Sequence, residues 1–166
     1  MKLCRWGRNG YEKPGMIDAQ GHPKTLEFNC RLGDPETQPI LMRLRSDLVD
    51  LFWAATESSQ ALAAHDIVWD RRNALGVVAA AHGYPMTPRK GDVISGLPVD
   101  QDDCMVFHAG TADQGGQVVT SGGRVLCVTA LGDNLRAAQH VAYQALQGIH
   151  FDGMQYRSDI GHRALR

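Results

Sequence analysis

The run Leu26-Glu27-Phe28-Asn29-Cys30-Arg31, cut short by Leu32-Gly33-Asp34-Pro35, constrains the fold more than any other stretch of the chain. Leu26, Phe28 and Cys30 alternate with Glu27, Asn29 and Arg31, a period of two that predicts a β-strand with one apolar and one polar face. A carboxylate at Glu27 and an amide at Asn29, two residues apart, put two hard oxygen donors side by side, the kind Mg²⁺ takes. The guanidinium of Arg31, next in the row, suits a phosphate oxygen bidentately. The same row also fits an amphipathic strand whose polar face is simply wet. The strand by itself leaves both readings open.

Beyond the Gly33-Asp34-Pro35 turn the pattern predicts a helix. Thr37 is placed to cap it, and Pro39 falls in the first turn, where a missing N–H costs nothing. Ile40, Leu41, Leu44, Leu48, Leu51, Phe52 and Ala55 then recur at helical spacing to about Ser58, with Arg43, Arg45, Asp47 and Asp50 on the other positions as a solvated face. Upstream, Leu3–Trp6 reads as a short strand. Met16–Asp18 and Thr25–Cys30 read as a hairpin around Ala19-Gln20-Gly21-His22-Pro23, with His22 exposed in the turn. Residues 59–72 read as a looser connection.

Farther on, Asn73–His82 combines small residues with paired Val and predicts a buried strand. A loop comes next over Gly83–Gly91, where Arg89 and Lys90 read as a solvated basic pair, and then a short strand over Asp92–Ser95. Asp100–Asp103 is an acidic turn without the spacing of a calcium loop. Cys104–His108 alternates as a strand. Gln117–Thr120 and Arg124–Leu131 bracket Ser121-Gly122-Gly123 and predict a hairpin. A phosphate-cradling loop is excluded there because no helix starts after the glycines. Gly132-Asp133 caps a helix with the stripe Leu135, Ala138, Ala142, Ala145, Leu146 and Ile149, stopped near Gly148. The polar tail has Tyr156 and Ile160 as anchors.

Composition narrows the class. At 166 residues the chain holds one domain, or one plus an appendage, and an apolar fraction of 43% argues against disorder. A net charge of −1 offers no basic excess to hold nucleic acid. No window has the ~18 uninterrupted apolar residues of a membrane span, and the mixed, basic start lacks a signal-peptide core. A cytoplasmic protein is expected. The four cysteines, Cys4, Cys30, Cys104 and Cys127, form no Cys-x-x-Cys pair and no ligand spacing with the histidines. Neither a zinc site nor a disulfide framework is expected, and Cys127 reads as a buried, inert thiol.

The phrase Arg31-Leu32-Gly33-Asp34-Pro35-Glu36-Thr37-Gln38-Pro39-Ile40 resembles the signature of the glycinamide ribonucleotide synthetases, or phosphoribosylamine–glycine ligases, of the ATP-grasp superfamily. The resemblance continues through Arg89-Lys90-Gly91-Asp92-Val93-Ile94, Phe107-His108-Ala109-Gly110-Thr111, Gly122-Gly123-Arg124-Val125-Leu126 and Gly148-Ile149-His150-Phe151-Asp152-Gly153-Met154. It covers about Met16 to Arg166 and corresponds to the C-terminal part of that enzyme. Residues 1–15 do not share it. Met1–Gly21 instead resembles the opening of fumarylacetoacetate hydrolase family proteins, as Gly91–Ser95 does weakly, so a junction is expected near Met16.

The resemblance implies an α+β fold, in which the end of an ATP-grasp sheet and its helix (16–60) precede a mostly antiparallel sheet or half-barrel with one long packing helix (61–166). It implies a reaction in which ATP, glycine and 5-phosphoribosylamine give glycinamide ribonucleotide, ADP and phosphate. By the same correspondence Glu27 and Asn29 are metal ligands for Mg²⁺ or Mn²⁺, and Arg31 steadies the transferring phosphoryl group. Asp34 and Glu36 line the site or orient Arg31. Nothing in the sequence replaces the family's N-terminal domain and nucleotide-clamping lobes, so a partial ligase, inactive alone, is expected. The alternatives are a docking domain that pairs with a chain bearing those lobes, a chimaeric fragment, and, remotely, a fumarylacetoacetate hydrolase-like enzyme, for which the acidic metal cluster is not found.

Overall fold

The computed structural model describes residues 2–6, 13–25, 31–99 and 101–165. They belong to two compact units, residues 1–33 and residues 34–166. In the first unit, β1 (Lys2–Trp6), β2 (Lys13–Ile17) and β3 (Pro23–Thr25) form an antiparallel sheet in that order. Ile17 pairs with Lys2 on one side and Pro23 on the other. The expected strand at Leu3–Trp6 is present, and so is the expected hairpin, with β2 starting at Lys13 and β3 at Pro23. Asp18 builds the turn between them. Its Oδ1 accepts from the backbone N–H of Gln20 (3.0 Å) and of His22 (2.9 Å), the self-closing geometry for which Asp is favoured in turns. His22 is exposed there. The strand predicted over Leu26–Cys30 lies outside the described residues.

The second unit runs α1 (Thr37–Arg43), α2 (Leu48–Glu57), α3 (Ser59–Ala63), β4 (Asn73–Ala80), β5 (Cys104–His108), β6 (Thr111–Gln114), β7 (Gln117–Thr120), β8 (Arg124–Gly132) and α4 (Leu135–Gln147). A 3-10 turn lies beyond it at His162–Ala164. The main sheet of this unit is antiparallel in the order β4-β8-β5, so the last strand in sequence is the central one. The α+β class expected from the sequence is the one observed.

Burial follows from this layering. Leu75, Val77 and Ala79 of β4, with Leu126, Val128 and Ala130 of β8, form one face of the sheet, and α4 covers it with Ala138, Ala142 and Leu146. Leu146 is fully buried, which contributes roughly 1.5–3 kcal/mol by area. On the other face Gly76 lies opposite Thr129, next to Cys127. A Cβ at Gly76 would come within 3.1 Å of Cys127 Sγ and 3.3 Å of Pro39 Cγ. Glycine there lets α1 lie close against the strand. Cover on both faces explains why Val125–Leu131 is buried at every position instead of alternating. Cys127 is 2% exposed, and burial pushes its thiol pKa up, as expected of an inert core cysteine.

Several expectations are corrected. The single helix predicted from Thr37 to about Ser58 is two helices. At Leu44 the backbone turns extended (φ −74, ψ 122) and makes an isolated bridge with Trp69, while Arg45 N–H donates to Val68 carbonyl (2.9 Å). Asp47 then starts α2 by accepting from Val49 N–H (2.7 Å). Thr37 is the first helical residue, not the cap, which is Glu36. The connection over 59–72 begins with the short helix α3, capped by Ser58. The hairpin predicted between Gln117–Thr120 and Arg124–Leu131 does not form. β7 pairs with β6 around Gly115-Gly116, and β8 pairs with β4 and β5. Asp92–Ser95 contributes two isolated bridges, Val93 to Val119 and Ser95 to His150, instead of a strand. The cap of α4 is Asn134, whose side chain accepts from Ala137 N–H (2.9 Å). No helix among the described residues is long and apolar enough to cross a membrane.

Candidate functional site

Of the residues the resemblance singles out, Asp34 and Glu36 lie in the second unit, in the turn that leads into α1, and Arg31 in the first. Arg31 is exposed, and its Nη1 donates to the Leu32 carbonyl (3.0 Å). Asp34 opens the second unit and is half exposed. Its carboxylate Oδ2 lies 3.2 Å from Arg124 Nη2, and its carbonyl accepts from Arg124 Nη1 (3.4 Å). Glu36 is exposed at the start of α1, and its carbonyl accepts from Ile40 N–H (3.2 Å). Asp34 and Glu36 therefore sit together in one turn, with Arg124 holding the turn to the first residue of β8. Glu27 and Asn29 lie outside the described residues. Among the described residues no three His, Cys, Asp or Glu side chains gather closely enough to hold a metal ion.

Sequence reasoning misses Arg124, whose signal there is faint: one charge directly after Gly122-Gly123 at the mouth of an otherwise apolar strand. Its partner is 90 positions away, which no local pattern reports. Beside it a cleft of about 390 Å³ is lined by Val78 and Ala80 of β4 and by Pro35, Tyr84 and Tyr156. Arg157 also lines it, with its guanidinium forked onto the Asp159 carboxylate (2.8 and 2.7 Å). That fork holds the Asp159 carboxyl below the usual carboxylate range. Arg89, which the sequence suggests is part of a solvated basic pair, is instead bound between acids. Nε donates to Asp92 Oδ2 (2.8 Å), and Nη2 binds the Asp152 carboxylate. Those bonds, Asp92 first, push its pKa up. They fasten the loop before Asp92 to the chain after Phe151.

Residues 74–163, more than half of the 166-residue chain, match the family described as phosphoribosylglycinamide synthetase, C domain. The chain belongs to that family. Among curated relatives, it is similar to the phosphoribosylamine–glycine ligase of Ralstonia nicotianae, with 59% identity over 151 residues, 91% of this chain and 35% of the relative. The corresponding ligase of Vibrio vulnificus is 54% identical over 151 residues, 90% of this chain and 35% of the relative. The chain thus spans about a third of the length of the curated relatives it matches. A crystal structure of phosphoribosylamine–glycine ligase from Thermotoga maritima superposes with a TM-score of 0.66 at 37% identity, covering 89% of this chain and 36% of that one. The family's matched segment begins at Ala74, so nearly all of β4, together with β5, β8, α4 and Arg124, lies within it. The signature turn and α1–α3 precede it and fall within the longer resemblance to the ligases.

Proposed function

We propose that this chain supplies the C-terminal share of a phosphoribosylamine–glycine ligase and has no ligase activity by itself. The observation that carries the reading is the 59% identity to a ligase across 151 residues, 91% of this chain but only 35% of that relative. In the full reaction ATP, with a divalent ion, supplies the phosphoryl group that activates the glycine carboxylate for attack by 5-phosphoribosylamine. Catalysis of such a transfer is mostly positioning and charge neutralisation.

The donor set fits that ion. Glu27 and Asn29 are hard oxygen donors in a strand pattern that puts them on one face, and they would hold Mg²⁺ or Mn²⁺. Arg31 would steady the charge on the transferring phosphoryl group. Asp34, tied to Arg124, holds the turn before α1, and Glu36 would line the site with it. Two ligands in open water bind Mg²⁺ weakly, because the ion gives up its own water reluctantly. This is the physical reason for inactivity without the rest of the clamp.

The purified chain, given ATP, Mg²⁺, glycine and 5-phosphoribosylamine, is expected to form no glycinamide ribonucleotide, and product formation would overturn the claim. In a ligase-length protein carrying this segment, Arg31→Ala is expected to lower turnover by about 10²-fold or more, the range for losing one charge-stabilising donor. An unchanged rate would remove Arg31 from the site.

A further inference from the structure

The sequence has one Asp-Gly pair, Asp152-Gly153, and it stands where only glycine fits. Gly153 has φ +67, and a Cβ there would come within 2.6 Å of His82 Cβ. The Met154 N–H donates to the Phe151 carbonyl (3.2 Å), which closes the turn around the pair. Asp-Gly is also the pair most prone to rearrange, because no Cβ screens the glycine nitrogen from the aspartyl side chain. In that reaction the Gly153 nitrogen bonds to Asp152 Cγ. One carboxyl oxygen leaves as water, taking the amide proton and a proton from solvent, and a succinimide ring remains. Water then opens the ring. Opening at the original main-chain carbonyl leaves that carbonyl as a free carboxylate and routes the backbone through Cβ and Cγ, an isoaspartyl link. The Asp152 side chain is 81% exposed, so water is at hand for that step.

Arg89 lies across this pair. Its Nη2 donates both to the Asp152 carbonyl (2.9 Å) and to the Asp152 carboxylate, while Nε is tied to Asp92 (2.8 Å). One nitrogen shared by two oxygens of the same residue draws the carboxylate to the side of its own carbonyl oxygen. The Gly153 nitrogen is on the other side of that carbonyl carbon, so the ring closes only after the carboxylate has left Arg89. Giving up a hydrogen bond to a charged group costs about tenfold or more in rate. We propose that Asp152-Gly153 is a site of isoaspartate formation and that Arg89 holds it in check. The modification reaches the cleft beside Arg124. Phe151 is buried before the pair, and after it Gln155 exchanges both backbone hydrogen bonds with Ala80 (2.7 and 2.9 Å). An isoaspartyl link adds one backbone carbon between these anchors, and Gly153, pressed on His82, leaves no room for it. Gln155 therefore loosens from β4, and Tyr156 and Arg157, which line the cleft, move with it. The new carboxylate is the group that isoaspartyl-directed methyltransferases esterify.

The test ages the full chain in warm neutral buffer, folded and in guanidinium. Isoaspartate is located by peptide mapping and by enzymatic methyl transfer read peptide by peptide, since Asn9-Gly10 is a second source in the same sequence. The folded chain is expected to form isoaspartate at 152 about tenfold or more slowly than the denatured one, and Arg89→Gln, shown folded by circular dichroism, to recover about tenfold of that rate. Equal rates in the folded and denatured chain overturn the proposal, as does a folded Arg89→Gln that reacts no faster than the parent. If Arg89→Gln does not fold, Arg89→Lys carries the test. Lysine lacks the fork that holds Asp92 and Asp152 together, so a faster reaction is expected, and a rate at the parental level overturns the role of Arg89. In the aged fraction modified at 152, the Gln155 amide is expected to exchange faster than in the unmodified chain. Equal exchange there overturns the link to the cleft.

Discussion

Asp70 shows how much one residue can organise. Its backbone carbonyl accepts from Arg43 Nε (3.2 Å) and Nη2 (3.0 Å), and its N–H donates to Arg43 carbonyl (2.7 Å). Its carboxylate accepts from Arg72, which reaches across to Asp103 as well. The end of α1, the entry to β4 and the entry to β5 are thus tied together through the Asp70 backbone, its carboxylate and Arg72. The Arg72 bond, chiefly, holds the Asp70 carboxyl well below the usual carboxylate range. A carboxyl depressed in the folded state stabilises it above the unfolded value, about 3.9, and loses that contribution as pH falls through the folded value. Asp70→Asn is therefore expected to be less stable than the parent at pH 7 and to approach it as the pH drops below about 4. Urea midpoints measured from pH 2 to 7 check this, and parallel curves would contradict it. None of the network was legible in the sequence. Asp70 and Arg72 fell in the looser connection over 59–72 and Asp103 in an acidic turn, and nothing local joins them because their meeting depends on sheet register. The turn holding Asp34 and Glu36 was legible, since the Gly-Asp-Pro phrase marks a turn wherever it falls.

At the scale of elements, the stripe of α4 was read correctly and the joints between elements were not. The α4 stripe is buried where it was expected, at Ala138, Ala142 and Leu146. Leu146→Ala is expected to cost about 2–5 kcal/mol, the range for a core leucine left as a cavity, and a shifted denaturation midpoint measures it. The Thr37–Ser58 stripe misled because Leu44, Leu48 and Leu51 keep helical spacing across a break. What stops α1 is tertiary, the pairing of Leu44 with Trp69. A local clue was present in Ser46-Asp47, a helix-start pattern inside the stripe. Asp47→Ala is expected to remove about 1 kcal/mol, read as faster amide exchange in the first turn of α2 with the rest of the chain unchanged. The glycine pairs were ambiguous in the same way. Gly115-Gly116 and Gly122-Gly123 both punctuate strands, but only the first closes a two-residue hairpin. The second brings the chain to Arg124, and a Cβ at Gly123 would meet the Tyr84 ring at 2.5 Å.

For the whole molecule, the antiparallel α+β class was accessible because turn residues, alternation and one strong amphipathic helix all agree. The order of strands was not, because no sequence pattern says that Arg124–Gly132 slots between Asn73–Ala80 and Cys104–His108. That order has a consequence for synthesis. The outer strands leave the ribosome first and have no partner until the middle one emerges, so the sheet closes only on contacts distant in sequence. A chain ended at Gly123 is expected to melt without a cooperative transition and to expose apolar edges to aggregation, whereas one ended after α4 should unfold in a single step. While translation is under way, the half-made protein carries two bare strands waiting for a third, and whatever shields newborn chains must cover it until residue 132 has emerged.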